Sequence, residues 1–314
     1  IFALSSDKAP EPPQSNFTFS KNSIENAFYK VVLDPVSGGI KSIFDKEAKA
    51  EYVDPASPFK LNQYVYENPE GGRKAVDNRE KRAVFVRASP TSAKIEAGLA
   101  GPLTASLIAR ATAPGCLEIE SEIILYRNLK RLEIVNRLRK KETLEPEAVY
   151  FAFPFKVESG RFVFEIADAM MQPEVDQLPG TTRDWQTVQH WVEVSNKTRS
   201  LVWSPVEAPL VEFGDINTGK WLKKLDLTNS ALFSYAMNNY WYTNFKASQG
   251  GLVLFRYSLP TRDGGSDPVK SSRFGWEVHT PLMAAWIPEG TRGTLNGAGD
   301  SFFRVDQPGV IIQS

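Results

Sequence analysis

Two short stretches hold most of the side chains suited to binding a small polar ligand. In the first, Thr182-Arg183-Asp184-Trp185-Gln186-Thr187-Val188-Gln189-His190-Trp191, two Trp, one Arg, one Asp and two Gln fall within ten residues, after the turn-like Leu178-Pro179-Gly180. Sugar recognition uses such a set: an aromatic face lies against the apolar C–H side of a pyranose, while carboxylate, amide and guanidinium bond its hydroxyls. The same stretch also reads as an alternating strand that buries Val188 and leaves polar residues outside. The second, Met237-Asn238-Asn239-Tyr240-Trp241-Tyr242-Thr243-Asn244-Phe245, sets three neighbouring large aromatics among three Asn. A strand cannot solvate both faces of that sequence, so one face belongs to a core and the other meets a ligand or partner. The plainer reading is aromatic core filling with the Asn residues in turns.

Other chemistries lack their signatures. The chain has two histidines, His190 and His279, in no metal-ligand spacing and with no Cys pair nearby. No phosphate-cradling Gly-rich loop, Gly-x-Ser-x-Gly elbow or Cys–His arrangement is present. Glycosidic cleavage needs two carboxyl groups roughly 5–10 Å apart, and 37 Asp and Glu leave such a pair open.

Lys plus Arg equals Asp plus Glu at 37 each, so no net field draws in nucleic acid or an anionic membrane, and a neutral partner is expected. The single Cys116 excludes an internal disulfide framework and reads as small core filler. No run approaches the ~18 apolar residues of a membrane span, and Ile1–Ser5 is too short for a signal-peptide core. Asn16-Phe17-Thr18 and Asn196-Lys197-Thr198 fit the glycosylation pattern, which short sequences match often by chance.

The elements that must position these residues read as strands. Residues 1–21, with the Pro-rich SSDKAPEPPQS at 5–15, have the composition of a linker from a preceding domain; 22–314 read as one large domain. FYKVVLD, Pro35-Val36-Ser37-Gly38-Gly39 and IKSIFD form a β-hairpin signal with positions 31, 33 and 40 on one side. Further strands are expected at 63–67, 82–88, 92–97, 103–112, 148–153, 162–166, 188–194, 201–204, 252–257 and 310–313. Within EIILYRNLKRLEIVNRLRKK, Leu125, Leu129, Leu132 and Leu138 lie near the helical period. Strands at 117–127 and 131–138, turned at Asn128-Leu129-Lys130, suit the neighbours better. Residues 262–275, poor in apolar side chains, read as a long exposed loop.

Several long motifs, in one order from about residue 22 to 310, resemble the C-terminal half of glycoside hydrolase family 38 α-mannosidases: NAFYKVVLDPVSGGIKSIFDKE, LNQYVYE, ILYRNLKRLEI, AVYFAFPF, RDWQTVQHWVEVSN and MNNYWYTNFKASQGG with its following FRYSL. The resemblance implies an all-β fold, a large antiparallel β-sandwich of the galactose-mutarotase-like type, attached to an N-terminal catalytic domain and truncated at its C-terminal end. In that family a His-x-Asp pair with another Asp and His holds zinc, one Asp is the nucleophile and another acid the acid/base, all in the catalytic domain. This sequence has no His-x-Asp, so no catalytic or metal residue is assigned and no cofactor is expected in this segment; zinc is expected in the catalytic domain. The expected partners are that domain and a mannose-containing glycan. Trp185, Tyr240 and Tyr242 are candidates for stacking, and Arg183, Asp184, Asn238 and Asn239 for polar contacts, at the sugar or at the domain boundary. Two rival readings are an independent carbohydrate-binding module and a mutarotase or epimerase, whose acid and base would have to include His190 or His279.

Overall fold

A computed structural model of the chain describes residues 16–78, 80–241, 246–283, 286 and 304–311. Its described strands form three sheets with every pairing antiparallel. A five-stranded sheet runs in sequence order through Thr18–Ser20, Ser23–Glu25, Tyr29–Leu33, Ile40–Asp45 and Ala50–Glu51; its first strand falls inside the stretch read as linker. The expected hairpin is present: Leu33 pairs with Ile40, Gly38 takes φ +74°, and Val31, Leu33 and Ile40 are all buried.

The ten-stranded sheet runs in space through Ala169–Met171, Arg161–Ile166, Val192–Ser195, Arg199–Pro205, Gly251–Leu259, Leu132–Lys140, Cys116–Tyr126, Thr104–Ala113 and Ala93–Ala100, with Thr261–Asp263 beside Arg199–Pro205. The 117–138 segment is therefore two strands. Ile119, Ile123 and Leu125 alternate into the core, while Leu129, which completed the helical pattern, sits half exposed between the strands. Cys116 is buried as filler, and burial pushes its thiol pKa up.

The six-stranded sheet runs through Gln186–Thr187, Leu210–Phe213, Ser230–Asn238, Ala148–Phe155, Gln63–Pro69 and Phe85–Ala88. Its Ala148–Phe155 strand is buried at every position, as a continuous apolar run requires of a sandwich interior. Val149, Phe151, Phe153 and Phe155 join the main core. Phe151 and Phe153 meet Phe255, Tyr257 and Trp203 of the facing ten-stranded sheet at ring separations of 4.9–5.9 Å. Ala148, Tyr150 and Ala152 point the other way, into a second apolar cluster with Val65, Ile216, Phe233, Tyr235 and Tyr240. That second cluster is the floor of the candidate site.

Three expectations are corrected. Residues 268–275 of the expected exposed loop belong to an α-helix, Pro268–His279: the Asp267 side chain accepts the Lys270 N–H, Pro268 opens the helix, and Phe274 buries against Trp191 and Val202. The 188–194 strand starts only at Val192, because Val188, Gln189 and the buried Trp191 belong to a connection. The 82–88 strand starts at Phe85. Residues 310 and 311 are not in a strand; the rest of the strand expected there lies outside the described residues, as does the Pro-rich 5–15 stretch. No helix among the described residues is long and apolar enough to cross a membrane.

Candidate functional site

The two chemistry-bearing stretches, far apart in sequence, meet over the second cluster. A cleft of about 540 Å³ is lined by Asp184 and Trp185 of the first stretch, Tyr240 and Trp241 of the second, and Trp221 and Arg82 from two further segments. Trp185 and Trp241 stand 5.3 Å apart at 56°, a tilted corner in which neither indole covers the face of the other. Trp241 is 42% exposed and Trp221 73%.

Beneath the cleft, buried carboxylates tie down the segments that carry the rings. Glu67, fully buried, accepts the Tyr240 hydroxyl at 2.9 Å and the Arg87 Nε–H at 2.8 Å. Glu212, also fully buried, accepts the Thr218 hydroxyl at 2.6 Å and the amide N–H of Thr218 at 3.0 Å, with the Asn217 amide on the same oxygen. Burial pushes the Glu212 pKa up to about 8, against the pull of those hydrogen bonds. Asp184, 4% exposed, accepts the Gly219 N–H at 2.9 Å. Burial raises its pKa, opposed by the amides of Gly219 and Trp221 and the charges of Arg82 and Lys220.

Glu212 and Asp184 thus hold consecutive parts of the 217–221 turn. Gly219 there takes φ +77°, and an added Cβ would come within 3.2 Å of the Phe85 ring. Trp221 takes φ +51°, a left-handed conformation that costs a non-glycine residue of order 1–3 kcal/mol. The ring it carries points outward rather than into the core.

The other sequence-selected residues do different work. Arg183 turns away from the cleft and bonds Glu174 at 2.9 Å and the Thr181 carbonyl at 2.6 Å. Asn239 staples the 143–147 connection: its Oδ1 accepts the Glu147 N–H at 2.6 Å, and its Nδ2 donates to the carbonyls of Glu145 and Ala247. Asn238 lines a separate, smaller hollow with Lys246 and Gln249. Tyr242 lies outside the described residues. Only Met237 and Asn238 of the second stretch belong to the Ser230–Asn238 strand; Tyr240 and Trp241 lie past its end. His190 bonds Glu165 at 2.8 Å and stands 4.6 Å from the His279 ring, under the helix. Trp221 and Arg82 were not singled out in the sequence: each lies in a charged stretch, Lys220–Lys224 and Asn78–Arg82, that reads as solvated surface.

Residues 24–202 match the family described as glycosyl hydrolases family 38 C-terminal domain. The chain belongs to this family. A family 38 glycosyl hydrolase from Enterococcus faecalis shares the fold at TM-score 0.63 and 12% identity, over 93% of this chain and 35% of that one. An α-mannosidase from Enterococcus faecalis V583 does so at TM-score 0.60 and 11% identity, over 87% of this chain and 32% of that one. The family 38 domain described here therefore spans about a third of the length of those two proteins. A galactose 1-epimerase from Lactobacillus acidophilus NCFM aligns at TM-score 0.48 and 9% identity, over 80% of this chain and 99% of its own. No curated protein matches the sequence. Among the described residues, no three His, Cys, Asp or Glu side chains are grouped as metal ligands.

Proposed function

We propose that this chain is the sandwich portion of a zinc-dependent, retaining α-mannosidase, supporting a catalytic domain carried by the remainder of a longer protein. The observation that carries this reading is the family match over 24–202, joined to a fold shared with an α-mannosidase about three times as long. In retaining hydrolysis one carboxylate forms a glycosyl–enzyme bond while the other protonates the leaving oxygen and then activates water. Both carboxylates, and the zinc ligands, are assigned to the catalytic domain. The three buried acids beneath the cleft, Glu67, Glu212 and Asp184, are engaged in holding its loops. The cleft at Trp185, Tyr240 and Trp241 is the surface assigned to the sugar side of the domain boundary.

Incubating the 314-residue chain with an aryl α-mannoside tests this division of labour. The expected result is no turnover with or without added zinc, and chelator-sensitive turnover by the longer protein. Zinc-dependent turnover by this chain alone would overturn it.

A further inference from the structure

We infer that the cleft framed by Trp185, Trp221 and Trp241 binds a neutral hexopyranoside within this chain itself, with Asp184 as the positioning residue for Trp221. The inference deepens the sugar-side assignment above and relies on it only for the choice of mannosides as probes.

The first support is where the aromatic surface goes. An indole contributes 150–250 Å² of largely apolar area, and single exposed apolar residues on a surface need no explanation. Here three indoles converge on one cleft of about 540 Å³, a size class that holds small ligands. Folding does not bury Trp221 in return for its left-handed backbone: the ring stays 73% exposed. What holds the backbone there is the pair of buried carboxylates, through Gly219 and through Asn217 and Thr218. A rigidly displayed aromatic loses little freedom when a ligand arrives, the condition under which stacking contributes most to affinity.

The second support is charge. Among the described residues, the charged side chains lining the cleft are Lys81 and Arg82 against Glu80 and Asp184, two of each sign, a mixed lining that favours neither an anion nor a cation. The exposed Glu80, Lys81 and Arg82, with Asn78 and Thr182 also lining the cleft, supply both hydrogen-bond donors and acceptors. A pyranoside presents hydroxyls of both kinds on its rim and C–H groups on its face, and so matches indole walls with a balanced polar edge.

Tryptophan fluorescence of the 314-residue chain, titrated with methyl α-mannopyranoside and with a linear mannotriose, tests the site. A saturable change in the millimolar range is expected, tighter for the trisaccharide. Trp221→Ala and Trp185→Ala should each weaken binding tenfold or more; Trp221 is exposed enough that its removal leaves the fold intact, which a thermal melt checks. Asp184→Ala should abolish the response and raise acrylamide quenching of the component that Trp221→Phe removes. Asp184→Asn, which keeps an oxygen for the Gly219 N–H, should restore both. No response to either saccharide by ~100 mM, far weaker than any specific site, or equal binding by the folded Trp variants, would overturn the inference. So would loss of acrylamide access to Trp221 in the longer protein, since the cleft would then be covered by its own chain. Mannoside turnover by this chain alone would sink the division of labour while leaving the binding result to stand.

Discussion

Glu212 shows how little a residue type says without its surroundings. Among 37 acids its default reading is solvated surface, yet it is fully buried beneath the cleft with a pKa of about 8. The unfolded carboxyl titrates near about 4.3, so between that value and about 8 the folded state binds the extra proton. Stability carried by this group is therefore greatest at low pH, falls as pH rises through that window and levels off above it. Glu212→Gln keeps one oxygen for the Asn217 and Thr218 amides and lets its NH₂ donate to the Thr218 hydroxyl. The variant should melt higher than the wild type at pH 8 and show a flatter dependence of melting temperature on pH between 5 and 8. Melts across that range check it; an unchanged slope would mean that Glu212 titrates like an exposed acid.

At the scale of elements, the legible parts were those whose pattern is self-sufficient. AVYFAFPF is apolar at almost every position and becomes the doubly buried Ala148–Phe155 strand. The Pro35 to Gly39 turn carries its own left-handed glycine. The Ser230–Asn238 strand was not legible: Ser230 and Ser234 are buried, and the Ser234 hydroxyl meets Tyr257 at 2.9 Å across the sandwich, so a core strand carries polar letters. The Pro268–His279 helix was hidden likewise, since its buried face is only Ser271, Phe274 and Gly275. An added Cβ at Gly275 would sit 2.7 Å from the Trp191 ring, so this helix packs through the absence of a side chain. Of the cleft, both aromatic stretches could be read, but not that they meet, because the sheet order that joins them is set by long-range pairing. The helix opens on Asp267-Pro268, a capping pair inside the stretch that reads as an exposed loop. Asp267→Ala removes the acceptor for the Lys270 N–H at 3.1 Å and should cost about 1 kcal/mol. The loss should show as faster hydrogen exchange confined to the helix, with protection in the central strands unchanged.

For the whole molecule, the question is what ties the three sheets into one body when every strand ladder lies within one sheet. Between the two large sheets, Asn62 and Asn136 exchange two amide hydrogen bonds of 2.8 Å, and within the ten-stranded sheet Ser121 donates to Asn136 at 2.7 Å. The five-stranded sheet is fastened by backbone bridges, Ile40 to Leu61 and, just past its last strand, Val53 to Phe155, and by one buried polar cluster. Tyr29 meets the Thr261 hydroxyl at 2.8 Å, Thr261 donates to Asp45 at 2.5 Å, and Lys130 pairs with Asp45 at 2.9 Å. Burial alone would raise the Asp45 pKa, but the hydrogen bonds from Thr261, Ala48 and Lys130 outweigh it and hold the carboxyl below its usual value. A depressed acid stabilises the fold above its unfolded pKa of about 3.9, and that contribution fades as pH falls through the lower folded value. Asp45→Asn should therefore melt below the wild type at pH 7, the two converging as the solution is acidified below about pH 4. Because Asp45 links Thr261 and Lys130 of the ten-stranded sheet region to the Ile40–Asp45 strand, the variant should also expose residues 18–51 first. Limited proteolysis at pH 7 would then cut there before the sandwich opens. Cleavage spread evenly over both regions would show that the backbone bridges and the apolar face hold the small sheet without Asp45.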